Sequence, residues 1–475
     1  MENLENIKVA VLGGGPGGYT AAFYAADLGM QVTLIDLGKN LGGVCLNRGC
    51  IPSKALLHVA KLLNETKEAS RWGIEFGEPK IDVEKLRAWK TSVVNKMSGG
   101  LGILSKQRKI NYIQGRGSFV DSSTIKVEKN DGGIEEVKFD KAVIAIGSVI
   151  NTFPSLELNS RNVLNSTSAL ELENIPASML VVGGGYIGLE LGSVYKALGS
   201  KVSVVEMTDG LLPGADRDLV MHLAKRLQAG FENIMLNSKV LEMKEVPGGI
   251  SVKIESVKDG AVTEQVYEKV LVSVGRKPVT AGIGLENTKV KINQRGWIIA
   301  GLDLKTDDPN IYAIGDIVGE PMLAHKASHE GRVAVESIAG HKVAFEPKAI
   351  PAVVFTDPEI AWAGLTETQA KAQGVKFTLA KFPWSASGRA TTLDRFDGVT
   401  KVLVDPDTER ILGVGLCGPG AGELIAEAVV AIEMGANATD LKLSIHPHPT
   451  LSETIMEAAE AFYGQCTHVY NRPRK

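Results

Sequence analysis

The strongest constraint on this chain is a pattern that occurs twice: an apolar strand, a glycine-rich turn, a helix-forming stretch, a second strand and a closing acid. In the first copy, residues 7 to 12 (IKVAVL) lead into GGGPGG and YTAAFYAADLG, and QVTLID then ends on Asp36. Gly13, Gly15 and Gly18 give G-x-G-x-x-G, in which the first glycine permits a tight turn, the second a close backbone approach to a pyrophosphate, and the third packing of helix on strand. The helix N-terminus after the turn receives phosphates, and Asp36 can accept the hydroxyls of an adenosine ribose. A glycine trio alone also suits an ordinary turn; the flanking strands and the acid make it a dinucleotide fingerprint.

The second copy runs from MLVV at 179 to 182 through GGGYIGLELGSVYKALG to KVSVVE, with Gly183, Gly185, Gly188 and Glu206. Both copies place the acid 23 positions after the first glycine. Two dinucleotide-binding domains for two different cofactors follow, so the expected fold class is α/β with two Rossmann-like units. Met207 and Thr208 follow Glu206. With no arginine beside it to hold a 2′-phosphate, and a carboxylate that would repel one, NAD is favoured over NADP.

At 475 residues and 44% hydrophobic, the chain can bury several cores, and its length suggests about three or four domains. Lys and Arg total 52 against 55 Asp and Glu, a net charge of -3 that offers no field for nucleic acid or an anionic membrane. The opening MENLENI lacks the basic and apolar regions of a signal peptide and the arginines of a transit peptide. No uncharged apolar run approaches the roughly 18 to 20 residues a membrane span needs. The longest, around 142 to 150, reads as one buried strand, and a cytoplasmic protein is expected. Four cysteines are too few for a secreted disulfide framework.

Two of those cysteines, Cys45 and Cys50, stand five positions apart in GGVCLNRGCIPSKALL, ahead of a helix expected to begin near Pro52. Two buried structural cysteines, or half of a zinc site, would also place them there, although zinc needs two further ligands and no second cysteine pair exists. The positive potential at a helix start lowers a thiol pKa, which favours a redox-active pair. Glu190, in GLELG, interrupts an apolar stretch where an unpaired charge is costly. Near the other end, HPHPTLSETIMEAAEAF offers His446 and His448, suited to removing a thiol proton near neutrality. Glu453 in Thr450-Leu451-Ser452-Glu453 matches a capping box, a purely structural role.

Through GGVCLNRGCIPSK and the two fingerprints, the sequence resembles, along essentially its whole length, the dihydrolipoyl dehydrogenase family, the lipoamide-reductase branch of the class I pyridine nucleotide-disulfide oxidoreductases. The resemblance implies FAD on the first fingerprint and NAD on the second, with Cys45 exchanging with substrate and Cys50 facing the flavin. Lys54 would reach the flavin ring and pair with Glu190, although a solvated helix face would equally suit a lysine. Asp316, closing TDDPNIYAIGD, would bind ribityl hydroxyls, and Ala324 would bring a helix N-terminus to the ring. Gly117 would contact FAD, and Val240 and Gly275 NAD. His448 aligns with the family's base and Glu453 with the acid that orients it, while His446 is expected to be structural.

The family supplies that histidine from the opposite subunit of a homodimer, and its lipoyl groups arrive on subunits of 2-oxoacid dehydrogenase or glycine-cleavage systems. This sequence departs from the family at Arg48, usually a small apolar residue, and at Pro447, often alanine. A cation between the cysteines should favour thiolate. Cys417 and Cys466 read as structural or incidental. The expected domains are an FAD domain (1–149), an NAD domain (150–276), a central segment completing the FAD site (277–347) and an α+β dimerisation domain (348–475), ending in a mobile basic tail, NRPRK. Rival readings are an FAD-dependent reductase of another disulfide such as glutathione, or a redox-silent flavoprotein scaffold.

Overall fold

The computed structural model describes residues 4–470, so the NRPRK stretch lies outside the described residues. Strand β1 (Lys8–Leu12) pairs in parallel with β2 (Gln31–Asp36) on one side and with Lys141–Ile144 on the other. Four of the five β1 residues are buried, the unbroken apolar run expected of a strand covered on both faces. Helix α1 (Pro16–Asp27) makes the crossover and buries its small face, Ala21, Ala22 and Ala25. The sheet extends through Asn111–Asp121 into two antiparallel hairpin partners, Thr124–Lys129 and Ile134–Lys138.

The apolar run at 142 to 150, expected as one strand, is divided. Lys141–Ile144 lies in this sheet, whereas Ser148–Ile150 pairs with Arg276–Pro278 in a separate two-stranded ribbon. Gly147, at φ +74, makes the break, a backbone conformation that side chains disfavour. The central segment is spatially part of the first sheet: Ile311–Ala313 forms its edge beside Lys141–Ile144. The helix that follows, Ala324–Ile338, lies so close to α1 that a Cβ on Gly331 would meet Gly17 O at 2.8 Å.

The second fingerprint builds a five-stranded parallel sheet, with Ser178–Val182 between Lys201–Val205 and Lys269–Val272. An antiparallel three-stranded sheet, Ser238–Val246, Gly249–Ser256 and Val262–Tyr267, is inserted before Lys269. The last unit is a five-stranded antiparallel sheet in the order 352–354, 359–364, 411–418, 399–404, 378–383, covered by Ala421–Glu433 and Glu453–Phe462. The strands Val399–Val404 and Ile411–Gly418 are buried almost throughout.

A buried lysine joins the second and last units. Lys401, 1% exposed, sits 2.7 Å from Asp216, 2.8 Å from Asp218 and 3.4 Å from Glu367. Removing one member of such a cluster leaves buried charge without compensation, at a cost of about 3–5 kcal/mol. Lys401→Met is therefore expected to lower the urea midpoint of the holoprotein by a corresponding amount; an unchanged midpoint would show that the two units do not depend on this cluster.

Candidate active site

The two glycine turns have nearly the same local geometry. Gly13 takes φ +111 and Gly183 φ +107, and a Cβ on them would lie 2.3 Å from Ala145 O and 2.5 Å from Ser273 O. A Cβ on Gly18 or Gly188 would collide with the carbonyl of Gly13 or Gly183, at 1.8 Å and 2.4 Å. Gly15 and Gly185 differ: each caps a helix, and the space beside them is open, with nothing nearer than 4.0 Å. The closing acids brace their own turns, Asp36 accepting from Gly14 N and Gly38 N at 2.6 Å, and Glu206 from Gly184 N at 2.7 Å and Thr208 N at 2.8 Å. Each carboxylate retains acceptor capacity for a ribose hydroxyl.

A cavity of about 500 Å³ runs from the first turn to the cysteine pair. It is lined by Gly13, Gly15, Asp36, Cys45, Cys50, Lys54, Gly117, Glu190, Asp316 and Ala324, which lie far apart in sequence. The cradle suits a long dinucleotide, because Gly13, Gly15 and Gly43 line it with bare backbone, and a Cβ on Gly43 would stand 2.6 Å from Gly15 Cα. Gly117 continues this logic, since a Cβ there would reach Leu12 Cδ1 at 2.5 Å. Ala324 begins the helix Ala324–Ile338 and turns its N-terminus toward the cavity. Gly183, Gly185, Gly188, Glu206, Val240 and Gly275 belong to the second turn and its surroundings and do not line this cavity. Val240 is buried in the core beside that turn, and the Gly275 carbonyl accepts from Asn151 N at 3.0 Å.

The cysteines do not precede one helix as expected. Cys45 lies within α2 (Gly43–Arg48), and Cys50 is the first residue of α3 (Cys50–Glu68), with Gly49 between them. Local hydrogen bonding explains the extra helix: Asn47 Nδ2 donates to Leu41 O at 3.3 Å and to Gly43 O at 3.0 Å. Both cysteines are free thiols in mutual hydrogen-bonding reach. Both line the cavity, Cys45 half-buried and Cys50 exposed. The pKa of Cys50 is drawn down to about 7, first by the hydrogen bond from Cys45 and then, against the cost of burial, by the Lys54 ammonium. Cys45 moves upward, because the same hydrogen bond retains its proton and burial disfavours its charge. The pair thus holds one readily lost proton.

Lys54 Nζ lies 2.8 Å from Glu190 Oε2, and Glu190 is 3% exposed. Ser53 Oγ donates to the same oxygen at 3.2 Å, while Phe355 N donates to Oε1 at 3.0 Å. The lysine also sits 4.5 Å over the Phe355 ring. Phe355 escaped the sequence reading because it comes from another unit without a motif of its own. Two residues that line the cavity were also missed. Tyr186 starts the helix Tyr186–Leu198, and burial, then Glu190 and Cys50, push its phenol up to about 12. Arg276 donates to Ser148 Oγ at 2.7 Å and Ser148 O at 2.6 Å, and Ser148 Oγ donates onward to Asp316. Its only sequence signal is a charge directly after Gly275.

At the C-terminal end, His448 Nδ1 lies 3.0 Å from Glu453 Oε1, and the other oxygen of Glu453 accepts from Thr450 N at 2.8 Å. Glu453 is thus both a local brace and the partner of the histidine. It opens the helix Glu453–Phe462 and does not occupy the N3 position of a box capped by Thr450. Burial works against its charge but is outweighed by the Thr450 N–H and by His448, so its pKa falls. His448 is 74% exposed, whereas His446 is tied at both nitrogens, to Ser444 O at 2.8 Å and Glu427 at 2.7 Å. His448 does not line the cavity that holds Cys45, so the pieces expected to act together are not joined within one chain.

The family model described as pyridine nucleotide-disulphide oxidoreductase matches residues 7–331, and the dimerisation domain of the same description matches residues 350–459. A dihydrolipoyl dehydrogenase from Vibrio cholerae is 47% identical over 468 residues, 98% of each chain. One from Haemophilus influenzae is 46% identical, covering 98% of this chain and 97% of its own. The chain belongs to the dihydrolipoyl dehydrogenase family. Among solved structures, LpdA from Mycobacterium tuberculosis superposes with a TM-score of 0.88 at 28% identity, covering 96% of this chain and 99% of that one. The flavoprotein disulfide reductase RclA from Escherichia coli gives 0.83 at 28% identity, covering 94% and 98%. Dihydrolipoyl dehydrogenases use FAD and NAD, and the cavity beside the first turn fits the former. Among the described residues no helix is long and apolar enough to cross a membrane.

Lys54→Met removes the cation that favours the Cys50 thiolate. Because a neighbouring positive charge lowers a thiol pKa, its loss is expected to move the alkylation midpoint of the reduced protein upward from about 7. Iodoacetamide labelling of Cys50 against pH, read by mass spectrometry, measures this; a midpoint that stays put or falls would assign the shift elsewhere.

Proposed function

We propose that this chain oxidises dihydrolipoamide, carried on lipoyl-bearing subunits of 2-oxoacid dehydrogenase or glycine-cleavage assemblies in the cytoplasm, and reduces NAD+ to NADH. The observation that carries this reading is the meeting of Cys45 and Cys50 with Lys54 and the buried Glu190 it pairs with, in one cavity with the first glycine turn. Gly13, Gly15, Asp36 and Asp316 would hold FAD in this cavity, where it would supply the two-electron chemistry that links a dithiol to hydride for NAD+.

The working dimer supplies His448 from the opposite subunit. Glu453 accepts from Nδ1–H, which leaves Nε2 free to take a proton from the first substrate thiol. The resulting thiolate forms a bond to Cys45 of the oxidised pair as the Cys45–Cys50 bond breaks, and Cys50 leaves as a thiolate beside Lys54. The second substrate sulfur, losing its proton, displaces Cys45, which takes up a proton; oxidised lipoamide departs and the pair is left reduced. The low pKa of Cys50 makes it the better leaving group, and the higher pKa of Cys45 suits the sulfur that is protonated and released.

Division into an FAD unit, an NAD unit and an interface unit is part of the same reading, with Asp316 and Ala324 returning the central segment to the first cofactor and Val240 and Gly275 serving the second. The experiment is anaerobic addition of dihydrolipoamide to purified protein, followed by NAD+, with absorption recorded throughout. A long-wavelength thiolate–flavin band and then NADH are expected; a flavin spectrum unmoved by the dithiol would reject the substrate. His448→Gln is expected to lower turnover by roughly 10²–10⁴-fold while the flavin content stays constant. Cys45→Ser should abolish turnover with FAD retained, and loss of flavin in that variant would point to folding instead.

A further inference from the structure

The charged groups lining the main cavity are almost all occupied by protein partners. Lys54 is paired with Glu190, Arg276 is held on Ser148 and through it faces Asp316, and Asp36 is bound by two backbone N–H groups. Arg116 has only the charge of Glu128 across a strand pair to face. Arg48 has less: exposed and lining the cavity, among the described residues it makes no hydrogen bond, ion pair or ring contact.

The local fold directs that side chain. Helix α2 begins at Gly43, packed so tightly on the first glycine turn that a Cβ on Gly43 would stand 2.6 Å from Gly15 Cα. Arg48 ends the helix, about 40° around the axis from Val44 and about 60° from Cys45, and all three line the cavity. Five residues of helix rise about 7.5 Å, and helical side chains lean toward the N-terminus, so an extended arginine at this position is long enough to span the distance to Gly43 and Gly15. There the α1 N-terminus opens onto the space suited to a diphosphate.

The geometry points to Arg48 as an additional anchor for the diphosphate of FAD, made by this chain on top of the glycine turn; the inference rests on the flavoprotein reading above. A planar guanidinium can grip phosphate oxygens with two parallel hydrogen bonds, and the cavity supplies no internal carboxylate that already claims it. Arg48 then acts as a cofactor-binding group whose charge is directed away from the sulfurs.

The test compares wild type, Arg48→Val and Arg48→Lys as holoproteins, following FAD release on dilution by flavin fluorescence at low and high NaCl, with thermal unfolding as a check on the fold. Arg48→Val is expected to raise the FAD dissociation constant roughly tenfold or more and to flatten its salt dependence, with Arg48→Lys between the two. Equal FAD affinity and salt response in all three would overturn the proposal. So would unchanged FAD binding accompanied by a higher KM for lipoate, but not for uncharged lipoamide, since the guanidinium would then serve a substrate carboxylate. Wild-type protein without affinity for FAD would overturn the flavoprotein reading itself, a result distinct from either.

Discussion

The contact between Lys54 and the buried Glu190 is the constraint around which the site is arranged. A carboxylate that is 3% exposed cannot remain charged there without compensation. Its compensation comes from three groups at two places in the sequence: Lys54 and Ser53 on the cysteine helix, and the Phe355 backbone from the last unit. Satisfying one charge therefore fixes the cysteine helix, the start of the second nucleotide unit and the beginning of the interface unit relative to one another. The same lysine favours the Cys50 thiolate, so the group that joins the units also sets the chemistry of the sulfur.

The two glycine turns illustrate how one local solution can serve two ends. In each, the first glycine is forced by a positive φ, the third by contact with the carbonyl of the first, and the acid by its bond to the intervening glycine N–H. Only the middle glycine, Gly15 or Gly185, looks onto open space. The duplication therefore preserves the frame, while neighbouring residues differentiate the sites: the first turn meets α2 and the cysteines, and the second meets the inserted antiparallel sheet through Val240 and its neighbours.

Much of this was legible in the sequence because it is local. Strand, turn and helix at both fingerprints depend on residues within about one βαβ unit, whose spacing is fixed by geometry. The Cys45–Cys50 spacing and the exception at Glu190 were visible for the same reason. Periodicity could not foretell the division at Gly147, which sends two halves of one apolar run into different sheets, nor the short α2 helix held by Asn47. Arg276, Ser148 and Phe355 were silent because their roles arise only when distant segments meet. His448 belongs to another category, since the motif exposes its chemistry but nothing within a single chain brings it to Cys45.

The contrast between two histidines only two positions apart has a genetic consequence. His446 is fastened at both nitrogens, so the segment is anchored immediately before His448, whose outer face is left for another molecule. Because the proposed dimer draws sulfurs and base from opposite subunits, a mixed dimer of one chain lacking Cys45 and one lacking His448 would have one site with neither group and one site with both. Two inactive alleles could then complement each other, whereas a chain carrying both lesions would spoil both sites of any dimer it enters.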